Sequence, residues 1–157
     1  MDDLSRLRRE HGSERIVFTN GCFDILHRGH ATLLSKARES GDLLVVGLNS
    51  DLSARKLKGP ARPFMAQEDR AFMLLQLRSV DYVTIFDEET PIEAIKELEP
   101  DVLVKGAEYG QGEIVGEDFV EGRGGRVLRI EMVGRYSTSE IIDKIKEELR
   151  LESEEGP

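Results

Sequence analysis

The stretch IVFTNGCFDILHRGH, residues 16–30, ends in two histidines, His27 and His30, with only Arg28 and Gly29 between them. Two imidazoles at this spacing, just after an apolar β-branched run, suit three kinds of chemistry. They can ligate a metal, donate to phosphate, or pack as hydrogen-bonded neutral rings. Zinc asks for more ligands, three from the protein in catalytic sites and four in structural ones. The remaining histidine, His11, lies in a charged N-terminal segment, and Cys22 is the only cysteine. Cys22 follows a strand that turns it inward, where a lone thiol behaves as a small hydrophobe. Phosphate binding asks for less. A helix starting near Arg28 presents free N–H groups and its positive dipole end. Gly29 clears space for a phosphate near the backbone, and Gly21 permits a tight turn. These residues favour phosphate.

The elements around them follow from hydrophobic patterning. RIVFTN (15–20) reads as a buried strand, and residues 28–40 as a helix stopped by Gly41. DLLVVGLNS is a second strand, too continuously apolar to have a wet face. DLSARKLKGPARPF, rich in Lys, Arg, Gly and Pro, reads as a loop. AQEDRAFMLLQLRSV is a helix, DYVTIF a third strand, and TPIEAIKELEP a short helix with Thr90 as N-cap and Pro91 in its first turn. DVLVKG and RVLRIEMV complete the strands. STSEIIDKIKEELRLE opens on Ser137, with Glu140 placed for a capping box, and the tail SEEGP is expected to fray. Alternating strands and helices predict one α/β domain, doubly wound and Rossmann-like, with a five-stranded parallel sheet. Its expected limits are 15–150, after an extension of 1–14 and before a tail of 151–157. In such sheets ligands bind beyond the carboxyl ends of the strands, where strand order reverses. That rule places His27 and His30 at the mouth of the site.

Bulk properties narrow the function. A net charge of −9 argues against a general nucleic-acid binder, which needs a basic surface, but leaves room for one nucleotide. The 39% apolar and 34% charged composition is that of a globular chain rather than a disordered one. No apolar run approaches the ~18 residues of a membrane span, and residues 1–15 have no signal-peptide core. A single cysteine fits a reducing compartment, so a cytoplasmic location is expected.

HRGH, set in FDILHRGH after a strand, resembles the HxGH signature of the cytidylyltransferase-like nucleotidyltransferases. Four further segments in order strengthen the likeness: GDLLVVGLNSD, RKLKGPARP, FDEETPIEAIKELEPDVLVKGAEY and GGRVLRIEMVGRYSTSEII. Together, over residues 15–145, they resemble the ADP-heptose synthase adenylyltransferases. The resemblance implies transfer of AMP from ATP to D-glycero-β-D-manno-heptose 1-phosphate, with magnesium accompanying ATP and with a homodimer as the working form. It implies no membrane or nucleic-acid partner and a separate source of the sugar phosphate. Glycerol-3-phosphate cytidylyltransferases and FAD synthetases of the same superfamily are the competing readings. A nucleotide sensor without turnover is a third, and a metallohydrolase a remote fourth.

By the same resemblance, His27, His30 and Lys58 are the catalytic residues, with Lys56 beside Lys58 as a lesser candidate. Thr19, Asn20, Gly21, Cys22, Phe23, Gly29, Lys105, Gly106, Ser137, Thr138 and Ser139 bind the nucleotide and its phosphates. Asp24, Asn49, Arg70, Glu108 and Tyr109 bind substrate, and Arg78 matches a further family arginine. No protein metal ligands are expected. The acceptor is a phosphate monoester with a second pKa near ~6, so it is anionic at neutral pH and needs no general base. Donors are what such a reaction requires. The chain departs from the usual pattern at Arg135 and Tyr136 before the Ser-Thr-Ser run, and in GAEY for Gly-Gly-Asp-Tyr.

Overall fold

A computed structural model describes residues 4–131, 134 and 136–154. The elements run α1 (Leu4–Glu10), β1 (Ile16–Gly21), α2 (Arg28–Arg38), β2 (Leu43–Asn49), α3 (Asp51–Lys58) and α4 (Gln67–Leu75). They continue with β3 (Tyr82–Phe86), α5 (Ile92–Leu98), β4 (Val102–Gly106), α6 (Glu117–Gly122), β5 (Arg126–Ile130) and α7 (Thr138–Glu154). The sheet is parallel throughout, in the order β3-β2-β1-β4-β5, so strand order reverses at β1. This is the expected doubly wound, Rossmann-like arrangement.

Strand alternation divides the core into two layers. Val17, Leu44, Val46, Leu48, Val102 and Val104 face one way, against Leu34 and Ala37 of α2 and Leu74 of α4. Ile16, Phe18, Val45 and Leu103 face the other way, against Leu4 of α1, Ala94, Ile95 and Leu98 of α5, and Val120 of α6. Both faces are covered, which is why the strands read as unbroken apolar runs.

The amino end of the sheet is pinned by aspartates. Asp101 accepts from Ile16 N and from Arg8 Nη1, each at 2.8 Å. Asp81 accepts from Leu44 N at 2.8 Å and lies 3.0 Å from Arg38 Nε. Asp42 accepts from Arg15 N at 2.8 Å. Each carboxylate satisfies an N–H at the start of a neighbouring strand, where the ladder has no partner for it.

The structure corrects several local expectations. Residues 51–58, read as loop, form α3, because Ser50 Oγ caps Ser53 N at 3.1 Å and small Ser53 and Ala54 fit against the core. The N-cap of α5 is Pro91 rather than Thr90, and it makes no side-chain cap bond. Part of the expected extension folds as α1, with Leu4 in the core, and α6 was not anticipated. β5 ends at Ile130; Met132 and Val133, assigned to it from sequence, lie outside the described residues, as does Arg135. Helix α7 carries Ser153 and reaches Glu154, into the segment expected to fray, whose last residues are likewise outside.

Candidate active site

A cleft of about 370 Å³ opens at the carboxyl end of β1, beside the point of reversal. Cys22, Phe23, Asp24, His27, Gly29 and His30 line one side, Lys58 and Arg62 a second, Gly106 and Glu108 a third, and residues 136–139 a fourth.

His27 is the N-cap of α2, and its Nδ1 accepts from Gly29 N at 3.1 Å. That bond occupies Nδ1 as an acceptor, so in the neutral ring the proton sits on Nε2, available to donate. The His30 ring stacks on His27, with centroids 3.8 Å apart and planes 24° from parallel, and meets Phe23 at 5.3 Å. Burial, reinforced by His27, pushes His30 down to about 4; burial also lowers His27. Both rings are therefore neutral at physiological pH, carrying an N–H that can donate and no positive charge. Gly29 serves them in a way the sequence did not suggest. A Cβ there would lie 2.8 Å from His27 Cε1 and 3.0 Å from Tyr136 Cβ, so the glycine admits the ring itself.

The turn after β1 is strained. Phe23 and Ile25 adopt φ of 46° and 51°, left-handed values that cost roughly 1–3 kcal/mol for such residues. Gly21, expected to permit this turn, instead ends β1. Asp24 holds the turn to the loop after α3, accepting from Phe64 N at 2.8 Å and Met65 N at 3.0 Å, with Arg62 Nη1 at 3.5 Å. It lines the cleft, yet its oxygens are engaged by the protein.

Across the cleft, Ser137 Oγ accepts from Glu140 N at 3.1 Å, the expected cap. Thr138 Oγ1 donates to Asp24 O at 2.7 Å, tying the start of α7 to the strained turn. Lys58, the last residue of α3, projects into the cleft, whereas Lys56 and Arg78 are exposed outside its lining. Lys105 ends β4 with Gly106; its Nζ donates to Asn20 O at 3.2 Å and lies 5.5 Å from the Tyr109 ring centroid. Burial lowers Lys105 to about 8. Burial also pushes the Cys22 thiol up, which keeps it a neutral wall residue.

Two residues expected to touch substrate stand behind the wall instead. Arg70 is 1% exposed, and its guanidinium donates to Met65 O, Cys22 O, Asn49 O and Asp51 Oδ1 at 2.6–2.9 Å. Asn49 is 2% exposed and donates to Ser53 Oγ. They fix the shape of the cleft rather than line it, because Arg70 ties the turn after β1 to the end of β2 and the start of α3. Tyr109 also lies outside the lining, while Leu33, Ala54, Arg62, Pro63 and Tyr136 join it. Arg62 and Pro63 had a signal in the basic loop and Tyr136 in its departure from the family pattern; Leu33 and Ala54 had none.

Among the described residues, four buried side-chain atoms have no hydrogen-bond partner: Thr19 Oγ1, Asn20 Oδ1, His30 Nδ1 and Thr84 Oγ1. Three of these lie at the carboxyl end of β1 or in α2. Buried polar groups are rarely left so, and three of the four cluster where β1 gives way to α2, behind the cleft wall.

A reversing parallel sheet, a helix start capped by a neutral histidine, and a second helix start facing it define a nucleotide-handling α/β protein. The chain belongs to the cytidylyltransferase-like family, whose model matches residues 18–144. It is 52% identical over 143 residues to the bifunctional protein HldE of Syntrophotalea carbinolica, covering 91% of this chain and 29% of that one. It is 53% identical over 137 residues to HldE of Helicobacter pylori strain G27, covering 87% and 29%. The chain thus spans under a third of these relatives' length. Among solved structures, the lipopolysaccharide core biosynthesis protein of Thermoplasma volcanium is 26% identical with a TM-score of 0.63, covering 79% of this chain and 99% of that one. Pantothenate synthetase of Thermus thermophilus shares the fold, at 16% identity and a TM-score of 0.54, covering 86% and 62%.

Proposed function

We propose that the protein transfers AMP from ATP to D-glycero-β-D-manno-heptose 1-phosphate, releasing pyrophosphate. One observation carries nucleotidyl transfer: the neutral His27–His30 pair, Lys58 and the 137–139 helix start face one another across a single cleft. The heptose acceptor draws support from the likeness to HldE proteins and to a lipopolysaccharide core biosynthesis protein, and from Lys105 near the end of β4 with Glu108 and Tyr109 just after it.

An oxygen of the sugar phosphate attacks the α-phosphorus; the new P–O bond forms as the bond to the β-phosphate oxygen breaks, and pyrophosphate leaves. The acceptor is already anionic, so no residue need remove a proton. His27 donates from Nε2 to charge building on the α-phosphate, and His30 supports that ring by stacking. Lys58 and the first turn of α7 hold the departing pyrophosphate.

Magnesium would enter with the triphosphate and neutralise part of its charge. Among the described residues no three His, Cys, Asp or Glu side chains are grouped so as to hold a metal ion, and the Asp24 carboxylate is engaged. Phosphate oxygens and water would therefore hold the ion. The homodimer belongs to the same reading: Leu52, Leu57, Phe64 and Phe72 are each at least half exposed, and α3 and α4, which carry three of them, are joined by the Arg70–Asp51 pair. Light scattering would return twice the chain mass, and a monomer would overturn it. No helix among the described residues is long and apolar enough to cross a membrane, and the reading places the enzyme with its nucleotide in the cytoplasm.

The test is pyrophosphate release with magnesium, crossing ATP or CTP with heptose 1-phosphate, glycerol 3-phosphate and FMN. Release only from ATP with the heptose phosphate is expected. Release from another pair overturns the substrates, and bound ATP without release overturns the activity.

A further inference from the structure

Arg129 and Glu117 lie outside the cleft lining, yet they are tied to the loop that brings Glu108 to it. Arg129 sits on β5 in register with Lys105 of β4. Its Nη2 meets both carboxylate oxygens of Glu117, at 2.8 and 2.9 Å. The same guanidinium donates from Nε to Tyr109 O at 3.0 Å and from Nη2 to Gly110 O at 2.9 Å. Glu117, only 5% exposed at the start of α6, also accepts from Gly112 N at 2.9 Å. One partly buried ion pair therefore holds three backbone groups of the loop between β4 and α6.

That loop carries two side chains toward the site. The Glu108 carboxylate folds over Gly106, where it occupies the place a Cβ would take. The Tyr109 ring lies beside Lys105 Nζ, which is anchored to Asn20 O. A cation flanked by a carboxylate suits a ligand that bears a phosphate next to hydroxyls, with the lysine attracting the first and the carboxylate accepting from the second. We propose that the Arg129–Glu117 pair is a clamp that positions Glu108, Tyr109 and Lys105 for the hydroxyl-bearing acceptor, while leaving the ATP side of the cleft alone. The pair joins elements whose side chains never reach the reacting atoms, so these are positioning residues. The clamp deepens the heptose-phosphate reading and rests on it for the acceptor's identity.

The test uses the full chain with Arg129→Met, Arg129→Lys, Glu117→Gln and the Arg129→Met/Glu117→Gln double variant. Arg129→Met is expected to raise KM for the sugar phosphate ~10–100-fold, with KM for ATP changed by less than ~2-fold. Arg129→Lys, which keeps charge but not the fork, should recover part of that loss. The double variant should be no worse than the poorer single one, because the two residues act as a unit. Amide exchange at residues 107–113 should quicken in Arg129→Met and in Glu117→Gln, the milder change if the first fails to fold. Equal rises in both KM values, or none, would overturn the acceptor role. Unchanged exchange would overturn the clamp itself, a readout that needs no substrate. If the wild-type protein does not turn the sugar phosphate over, the acceptor assignment falls on that result alone.

Discussion

The two ends of the sheet are built from the same strands and behave in opposite ways. At the amino end, Asp42, Asp81 and Asp101 each accept from a backbone N–H, and Asp81 and Asp101 also face an arginine. At the carboxyl end, Thr19, Asn20 and His30 each carry a buried atom without a partner, and two residues of the turn hold left-handed backbone. One end spends its polar groups on its own chain. The other leaves several polar atoms unpaired, and its strain is the kind found where a ligand is gripped.

The contrast can be broken by exchanging the readouts. His30→Ala should lower kcat/KM by ~100–1000-fold, as loss of a group supporting the phosphate donors does elsewhere, while the melting temperature stays within a few degrees. Pyrophosphate release and a thermal scan decide it, and a large loss of stability with normal turnover would dissolve the distinction.

Acid offers a second test. His30 has its pKa lowered from 6.5 to about 4, so between those values the unfolded chain binds the extra proton. Its contribution is absent above pH 6.5, and destabilisation accumulates as pH falls through the window, on the order of 3 kcal/mol by its lower end. In urea titrations across that range, wild type should lose stability with falling pH more steeply than His30→Gln; identical pH slopes would remove the effect.

Asp101→Ala acts at the other end. It strands the Ile16 N–H and Arg8, and should cost ~1–3 kcal/mol in urea unfolding with kcat unaltered. Smallest of all, Lys96→Ala removes an exposed ion pair to Glu93 and should change stability by less than ~0.5 kcal/mol. It calibrates both assays, and a larger shift would show that surface pairs here carry more than their exposure allows.

The parts legible in the sequence were those written locally. The strands announced themselves by continuous apolar runs, and HRGH with the 137–139 run stood at helix starts. What stayed hidden depended on distant partners. Arg70 looked like a ligand because a charge is usually exposed; its burial is made possible by carbonyls 5 to 48 residues away in sequence. Arg129 and Glu117 carry no local signal, because their pairing exists only once β5 and α6 are set side by side. Helix α3 hid behind lysines and arginines, since its buried face is two small residues, Ser53 and Ala54.

His27 carries one more consequence. The group that orients its ring is the peptide N–H of Gly29, not a second side chain. An orienting carboxylate can be lost by a change at its own codon, but a peptide N–H survives every replacement except proline. A larger residue at 29 would set its Cβ 2.8 Å from His27 Cε1 and 2.9 Å from Nδ1, so the ring would have to move and the bond with it. The donor is thus fixed by the main chain, and the point open to mutational drift is the missing side chain at 29 that leaves the ring its room.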